Sequence, residues 1–160
     1  MAEARVALVG TERQAVPDAR ALGAVDPNEP IEVSVLVRPQ TADESLDERL
    51  ARGAPPLSRE DYAARYGASA HDLAAVQHFA RSHNLAVVEA DAGRRTVVLR
   101  GSASAMSSAF GVRLQRFVAA DGTTFRAHDG PIYVVPELDG IVQTVLGLDS
   151  RPVAQPRPNR

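Results

Sequence analysis

The run from Ile31 to Val37 alternates apolar and polar side chains, and it constrains the fold more than any other segment of the chain. A period of two residues predicts a β-strand with one buried and one open face. The buried face would carry four β-branched side chains: Ile31, Val33, Val35 and Val37. The opposite face would carry three polar ones: Glu32, Ser34 and Arg38.

Serine residues predict where helices begin, because a serine side chain can accept a hydrogen bond from the free backbone N–H groups of a first turn. Three serines precede helical patterns: Ser58, Ser69 and Ser102. These helices would end at Gly67, at His83-Asn84 and at Gly111. Between the first strand and these helices, residues 39–57 are acidic and rich in Pro and Gly, which predicts a mobile loop with at most a helical turn.

Two hairpins and a last helix complete the pattern. Residues 85–90 and 95–100 predict a hairpin, in which Gly93 would supply a positive φ. Residues 112–118 and 124–127 predict a second hairpin, turned by Asp121-Gly122. After Pro136, apolar residues at helical spacing predict a terminal helix that Gly147 would end: Leu138, Ile141, Val142 and Val145.

The order of these elements predicts an α+β fold of the ferredoxin-like kind, with an antiparallel sheet and helices on one face. Residues 112–118 would be the fourth strand of that unit. We expect an irregular N-terminal lead-in over residues 1–29, a ferredoxin-like domain over residues 30–149 and an extended linker over residues 150–160.

The face of the sheet away from the helices would be bare unless something covers it. Val98 lies between Val97 and Leu99, so this strand is apolar on both faces, and an exposed apolar patch often marks a partner site. The alternative is that residues 39–57 cover it. The candidate partner interface comprises Glu32, Ser34, Arg38, Val98 and Arg100, although the sequence leaves open which face Val98 occupies.

Composition excludes several kinds of site. The 160 residues contain no Cys, and all 18 basic residues are Arg. Disulfides, Cys–zinc sites, Schiff-base lysines and P-loops are therefore excluded. The net charge of −2 argues against a nucleic-acid partner, and no apolar run is long enough for a membrane span.

No catalytic, cofactor-binding or metal-binding constellation stands out. His71 and His78 share a helix face but lack a third ligand, so we interpret them as surface histidines, with pH sensing at an interface as the alternative. Ser102 is better explained as a helix cap than as a nucleophile.

The C-terminal residues 151–160 contain three Pro and three Arg and no acid, which predicts an extended polyproline-like segment. Such a segment suits a protease cleft, because clefts bind substrates as strands. An ordinary linker is the alternative.

Three segments together resemble the activation propeptides of the sedolisin (kumamolisin-type) serine-carboxyl peptidases. They are Pro56-Leu-Ser-Arg-Glu-Asp-Tyr-Ala-Ala-Arg-Tyr-Gly-Ala-Ser69, the stretch 85–110 with Thr96-Val-Val-Leu-Arg-Gly101, and Ile132-Tyr-Val-Val-Pro-Glu-Leu138 leading to Val145-Leu-Gly-Leu-Asp149. The resemblance covers residues 5–151.

The resemblance implies a prodomain of the subtilisin-propeptide kind that helps an acid-active endopeptidase to fold and inhibits it until processing. Its partner, in cis or in trans, would be a sedolisin-type catalytic domain bearing the Ser, Glu and Asp catalytic residues. The linker residues in the cleft would be Arg151, Pro152, Val153, Ala154, Gln155, Pro156 and Arg157.

The chain itself would not be an enzyme, because the family's Gly-Thr-Ser motif and Glu-x-x-x-Asp acid pair are absent from it. The resemblance also implies a secreted or periplasmic protein, either cut from a longer precursor or encoded alone. A stand-alone ferredoxin-like module that binds another protein or a ligand is the alternative function.

Overall fold

The computed structural model describes residues 5–12, 16–40 and 44–151. The strands are β1 (Val6–Ala7), β2 (Arg20–Ala24), β3 (Pro30–Val37), β4 (Ala86–Asp91), β5 (Thr96–Ser102), β6 (Leu114–Val118), β7 (Thr124–His128), β8 (Tyr133–Val134) and β9 (Val142–Leu146). The helices are α1 (Leu46–Ala51), α2 (Arg59–Tyr66), α3 (Ala70–Ser82) and α4 (Ala103–Phe110), and a 3₁₀ turn spans Pro136–Leu138.

The main sheet is antiparallel, with strand order β4-β5-β3-β9. Helix α3 connects β3 with β4 after α1 and α2, and α4 follows β5, so the unit reads strand, helix, strand, strand, helix, strand. Helix α3 packs on β4 and β5, and α4 packs on β5 and β3. This is the ferredoxin-like arrangement, and the α+β fold class predicted from the sequence is confirmed.

The fourth strand of this unit is not the one that the sequence predicts. Residues 142–146, expected to be helical, form β9 and pair with β3, with Val145 opposite Val35. The predicted fourth strand is instead β6, which pairs with β2 and β7 in a separate three-stranded sheet. The prediction of a terminal helix is therefore wrong, and only the 3₁₀ turn at Pro136–Leu138 is helical there.

The predicted helix starts are confirmed. Ser58, Ser69 and Ser102 each accept a hydrogen bond from the backbone N–H three residues later, at 3.1 Å. The segment predicted as a mobile loop contains α1, which begins with a capping box between Ser45 and Glu48.

The hairpin between β4 and β5 is confirmed, but its turn is not the predicted one. The positive φ, 54°, belongs to Arg95 and not to Gly93. Asn84, after α3, has the left-handed backbone that its place after a helix predicts, with a φ of 61°. The second hairpin turns at Gly122, which has a φ of 87°.

The N-terminal segment is more regular than predicted. Within residues 1–29, β1 pairs with β8 and β2 pairs with β6. Leu8 and Val25 from this segment belong to the same apolar core as the main sheet. The three sheets of the described residues are therefore joined by one core.

The core lies between the main sheet and helices α3 and α4. The alternation of β3 is confirmed: Ile31, Val33, Val35 and Val37 are each 2% exposed or less. They face fully buried side chains of the two helices, among them Val76, Met106 and Phe110. These contacts identify the side of the sheet that faces the helices, and the alternate side chains of β3 point to the other side.

Candidate partner interface

The open face of the main sheet is formed by the side chains that alternate with those of the core. Strand register places these residues on one side, and we call them the open face: Glu32, Ser34, Leu36, Glu89, Thr96, Val98, Arg100, Thr144 and Leu146. Val97 and Leu99 point the other way and are fully buried. The structure thus answers the question that the sequence left open, because Val98 lies on the open face.

The centre of the open face is apolar and its end is charged. Val98 lies directly opposite Ser34, and Leu146 lies opposite Ser34 on the other neighbouring strand. Leu146 keeps 53% of its surface exposed, so the described part of residues 39–57 does not cover it. Near the other end, Arg100 donates a hydrogen bond to the opposite residue, Glu32, over 2.9 Å.

Four of the five predicted interface residues share this face: Glu32, Ser34, Val98 and Arg100. Arg38 does not belong with them. Its Nε and one terminal nitrogen donate to the two carboxylate oxygens of Asp72 in α3, at 2.8 and 3.2 Å. Strand β3 ends at Val37, so Arg38 lies beyond the alternating residues of the strand.

Asp72 explains why Arg38 turns toward the helices. The carboxylate is 3% exposed in the first turn of α3, where an unpaired charge would be costly. The hydrogen bond from Arg38 holds the pKa of Asp72 below its usual range, while burial opposes this shift. The ion pair between Arg38 and Asp72 links the end of β3 to α3 and stabilises the packing of the two elements.

The sequence interpretation missed five of the nine open-face residues, and two of these, Leu36 and Leu146, are apolar. Leu36 belongs to the same alternation as Glu32 and Ser34, so the period of two could have identified it. Leu146 was missed because residues 142–146 were expected to be helical.

The histidines of α3 lie away from the open face. His71 and His78 are exposed on α3, on the opposite side of the sheet, as expected for surface histidines. No group of three or more metal-binding side chains occurs among the residues that the structure describes. In the same residues, no helix is long and apolar enough to cross a membrane.

The main chain leaves the domain after β9 along a fixed path. Arg151 binds Asp149 through its backbone N–H, its Nε and a terminal nitrogen, the last at 2.7 Å. The remaining predicted linker residues, Pro152, Val153, Ala154, Gln155, Pro156 and Arg157, lie outside the described residues.

Comparison with known proteins identifies this architecture. Residues 17–151 match the family model "Pro-kumamolisin, activation domain". The chain belongs to this family. The family predicted from the three sequence segments is thereby confirmed.

A curated relative extends the match over nearly the whole activation domain. Kumamolisin from Bacillus sp. (strain MN-32) is 38% identical over 160 residues, which cover 96% of this chain and 29% of the relative. The activation domain therefore spans under a third of the length of that relative. It corresponds to the activation part of a peptidase precursor.

Proposed function

We propose that this activation domain inhibits a sedolisin-type peptidase domain and assists its folding, with the open face as the docking surface. The observation that carries the proposal is the combination of the family match with a sheet face that has an apolar centre turned away from the helices. The partner would be joined in cis or supplied in trans. The resemblance to sedolisin propeptides implies that it would work in a secreted or periplasmic protein.

Folding assistance follows from selective binding. A domain that docks on the native peptidase but not on its unfolded chain lowers the free energy of the native form only. The open face suits this role because Val98, Leu36 and Leu146 offer apolar area while the flanking pair of Glu32 and Arg100 offers charges that set orientation.

Inhibition would come from the linker. Residues 151–157 would pass through the active-site cleft in extended form and exclude substrate until they are cut. The Ser, Glu and Asp that catalyse proteolysis in the family would belong to the peptidase domain. The resemblance to the propeptides of acid-active peptidases implies release on acidification, so acid would weaken docking.

The test adds this chain in trans to kumamolisin from Bacillus sp. (strain MN-32) prepared without the region that matches it. We expect inhibition at neutral pH, weaker inhibition at acid pH, and a higher yield of active peptidase on refolding. If neither inhibition nor a refolding benefit is seen at neutral pH, the proposal fails. A stand-alone binding module would then be the better interpretation.

A further inference from the structure

The segment that follows β9 has no regular secondary structure, yet it is held at nearly every residue. Arg126 of β7 donates from its terminal nitrogen to the carbonyl of Gly147 at 2.7 Å and from Nε to the carbonyl of Leu148 at 2.9 Å. The backbone N–H of Ser150 donates to the carbonyl of Arg126 at 2.8 Å, and the backbone N–H of Arg126 donates to Oγ of Ser150 at 2.7 Å.

Arg126 is itself held in place. Its side chain is only 17% exposed, and its remaining terminal nitrogen donates to Glu29 at 3.4 Å. Glu29 immediately precedes β3, and Arg126 belongs to β7 of the three-stranded sheet. The guanidinium of Arg126 therefore connects the start of β3, the three-stranded sheet and the chain after β9. Arg116 of β6 binds the same carboxylate but is not among the contacts of residues 147–150.

The path of the chain is also fixed from the other side. Leu148 is 1% exposed and belongs to the core, and Gly147 has a φ of 108° that favours glycine. A Cβ at Gly147 would lie 2.7 Å from the carbonyl oxygen of Glu32, so the backbone passes close against β3. The direction in which the chain reaches Arg151 is therefore set by the domain.

We propose that Arg126 is a positioning residue for inhibition. By holding residues 147–150, Arg126 sets the direction in which the linker, residues 151–160, leaves the domain and enters the peptidase cleft. This inference rests on the proposed function. An extended proline-rich run advances about 3.1 Å per residue, so an error of direction at its anchored end grows along its length. Fixing that end raises the local concentration of the linker at the cleft without adding any contact to the peptidase.

The experiment compares Arg126→Gln with the matched control Arg116→Gln in the full chain. Both variants lose a guanidinium bound to Glu29, but only the first loses the contacts to Gly147 and Leu148. Each is made with the native residues 152–160 and with a Gly–Ser run of equal length in their place. Inhibition of the same kumamolisin preparation is measured for each chain, together with its thermal unfolding.

We expect Arg126→Gln to raise the inhibition constant about tenfold in the native chain and to leave it unchanged in the Gly–Ser chain. Arg116→Gln should have little effect in either. Mass spectrometry can locate the cleavage positions within residues 152–160. We expect these positions to be more widely distributed in Arg126→Gln than in the wild type, and unchanged in Arg116→Gln.

An equal loss of inhibition with both linkers would show that Arg126 acts only on the stability of the domain and would overturn the inference. So would an unchanged inhibition constant. If Arg126→Gln does not fold, Ser150→Ala removes a contact from the segment side, and the same dependence on the linker is required of it. A wild-type chain that does not inhibit at all would instead refute the proposed function.

Discussion

Replacing Val98 by Asp tests whether this side chain contacts the peptidase or belongs to the core of the domain. Val98 lies on the open face between Ser34 on β3 and Glu89 on β4, while its neighbour Val97 is fully buried. We expect Val98→Asp to fold, because the new carboxylate can remain solvated in the free domain.

The expected cost to the free domain is small. An Asp opposite Glu89 adds a like-charge pair across two strands, and Asp is a poor strand former, so the loss is about 1–1.5 kcal/mol. That loss lowers the melting temperature by about 3–5 °C in a chain of this size. In the complex the carboxylate would be buried without a partner, at a cost of about 3–5 kcal/mol, so the inhibition constant should rise more than about a hundredfold.

The assay is peptidase inhibition in trans, with circular dichroism to follow unfolding. Val98→Thr, which keeps the shape but adds a hydroxyl, should lose much less inhibition than Val98→Asp. Val97→Asp should unfold, because it places a charge in the core. Our reasoning would be refuted by a folded Val98→Asp chain that inhibits like the wild type, or by a Val98→Asp chain that unfolds as Val97→Asp does.

Three further predictions concern the stability of the domain. Asp72→Asn should lower the free energy of unfolding by about 2 kcal/mol at pH 7. Because the folded-state pKa of Asp72 is lowered, its contribution is complete above the unfolded value of about 3.9 and is lost as the pH falls through the folded value. The gap between variant and wild type should therefore close in urea titrations below about pH 4. Met106→Ala should cost about 2–5 kcal/mol in the same assay, since Met106 is fully buried; a loss under about 1 kcal/mol would contradict this packing. Gly147→Ala should lower the melting temperature by at least about 4 °C through its positive φ and its approach to β3, and an unchanged value would show that this path is wrong.

Local signals predicted the starts of α2, α3 and α4, but they missed α1 and wrongly predicted a terminal helix. A serine cap acts within three residues of itself, so Ser58, Ser69 and Ser102 could be identified without knowledge of the rest of the fold. The alternation of β3 is similarly local, because a strand with one buried face must repeat every two residues.

The fourth strand could not be identified in the same way. Leu138, Ile141, Val142 and Val145 fit a helical spacing, and only pairing with β3, about a hundred residues earlier, makes residues 142–146 a strand. Gly140, with a φ of 82°, separates the 3₁₀ turn from this strand.

The contacts of Arg126 carried no sequence signal at all. Its partners Gly147 and Leu148 lie 21 and 22 positions away, and Glu29 lies 97 positions away. Such contacts depend on how the two sheets are placed, which no periodicity of the sequence describes.

The contacts described for the fold involve residues up to Arg151 and none of residues 152–160. A cut anywhere in residues 152–160 would sever the tether without unfolding the prodomain, which could then dissociate and rebind as a separate ligand. Lasting activity would require dilution of the released fragment or its digestion, so the onset of proteolysis would depend on concentration as well as on cleavage.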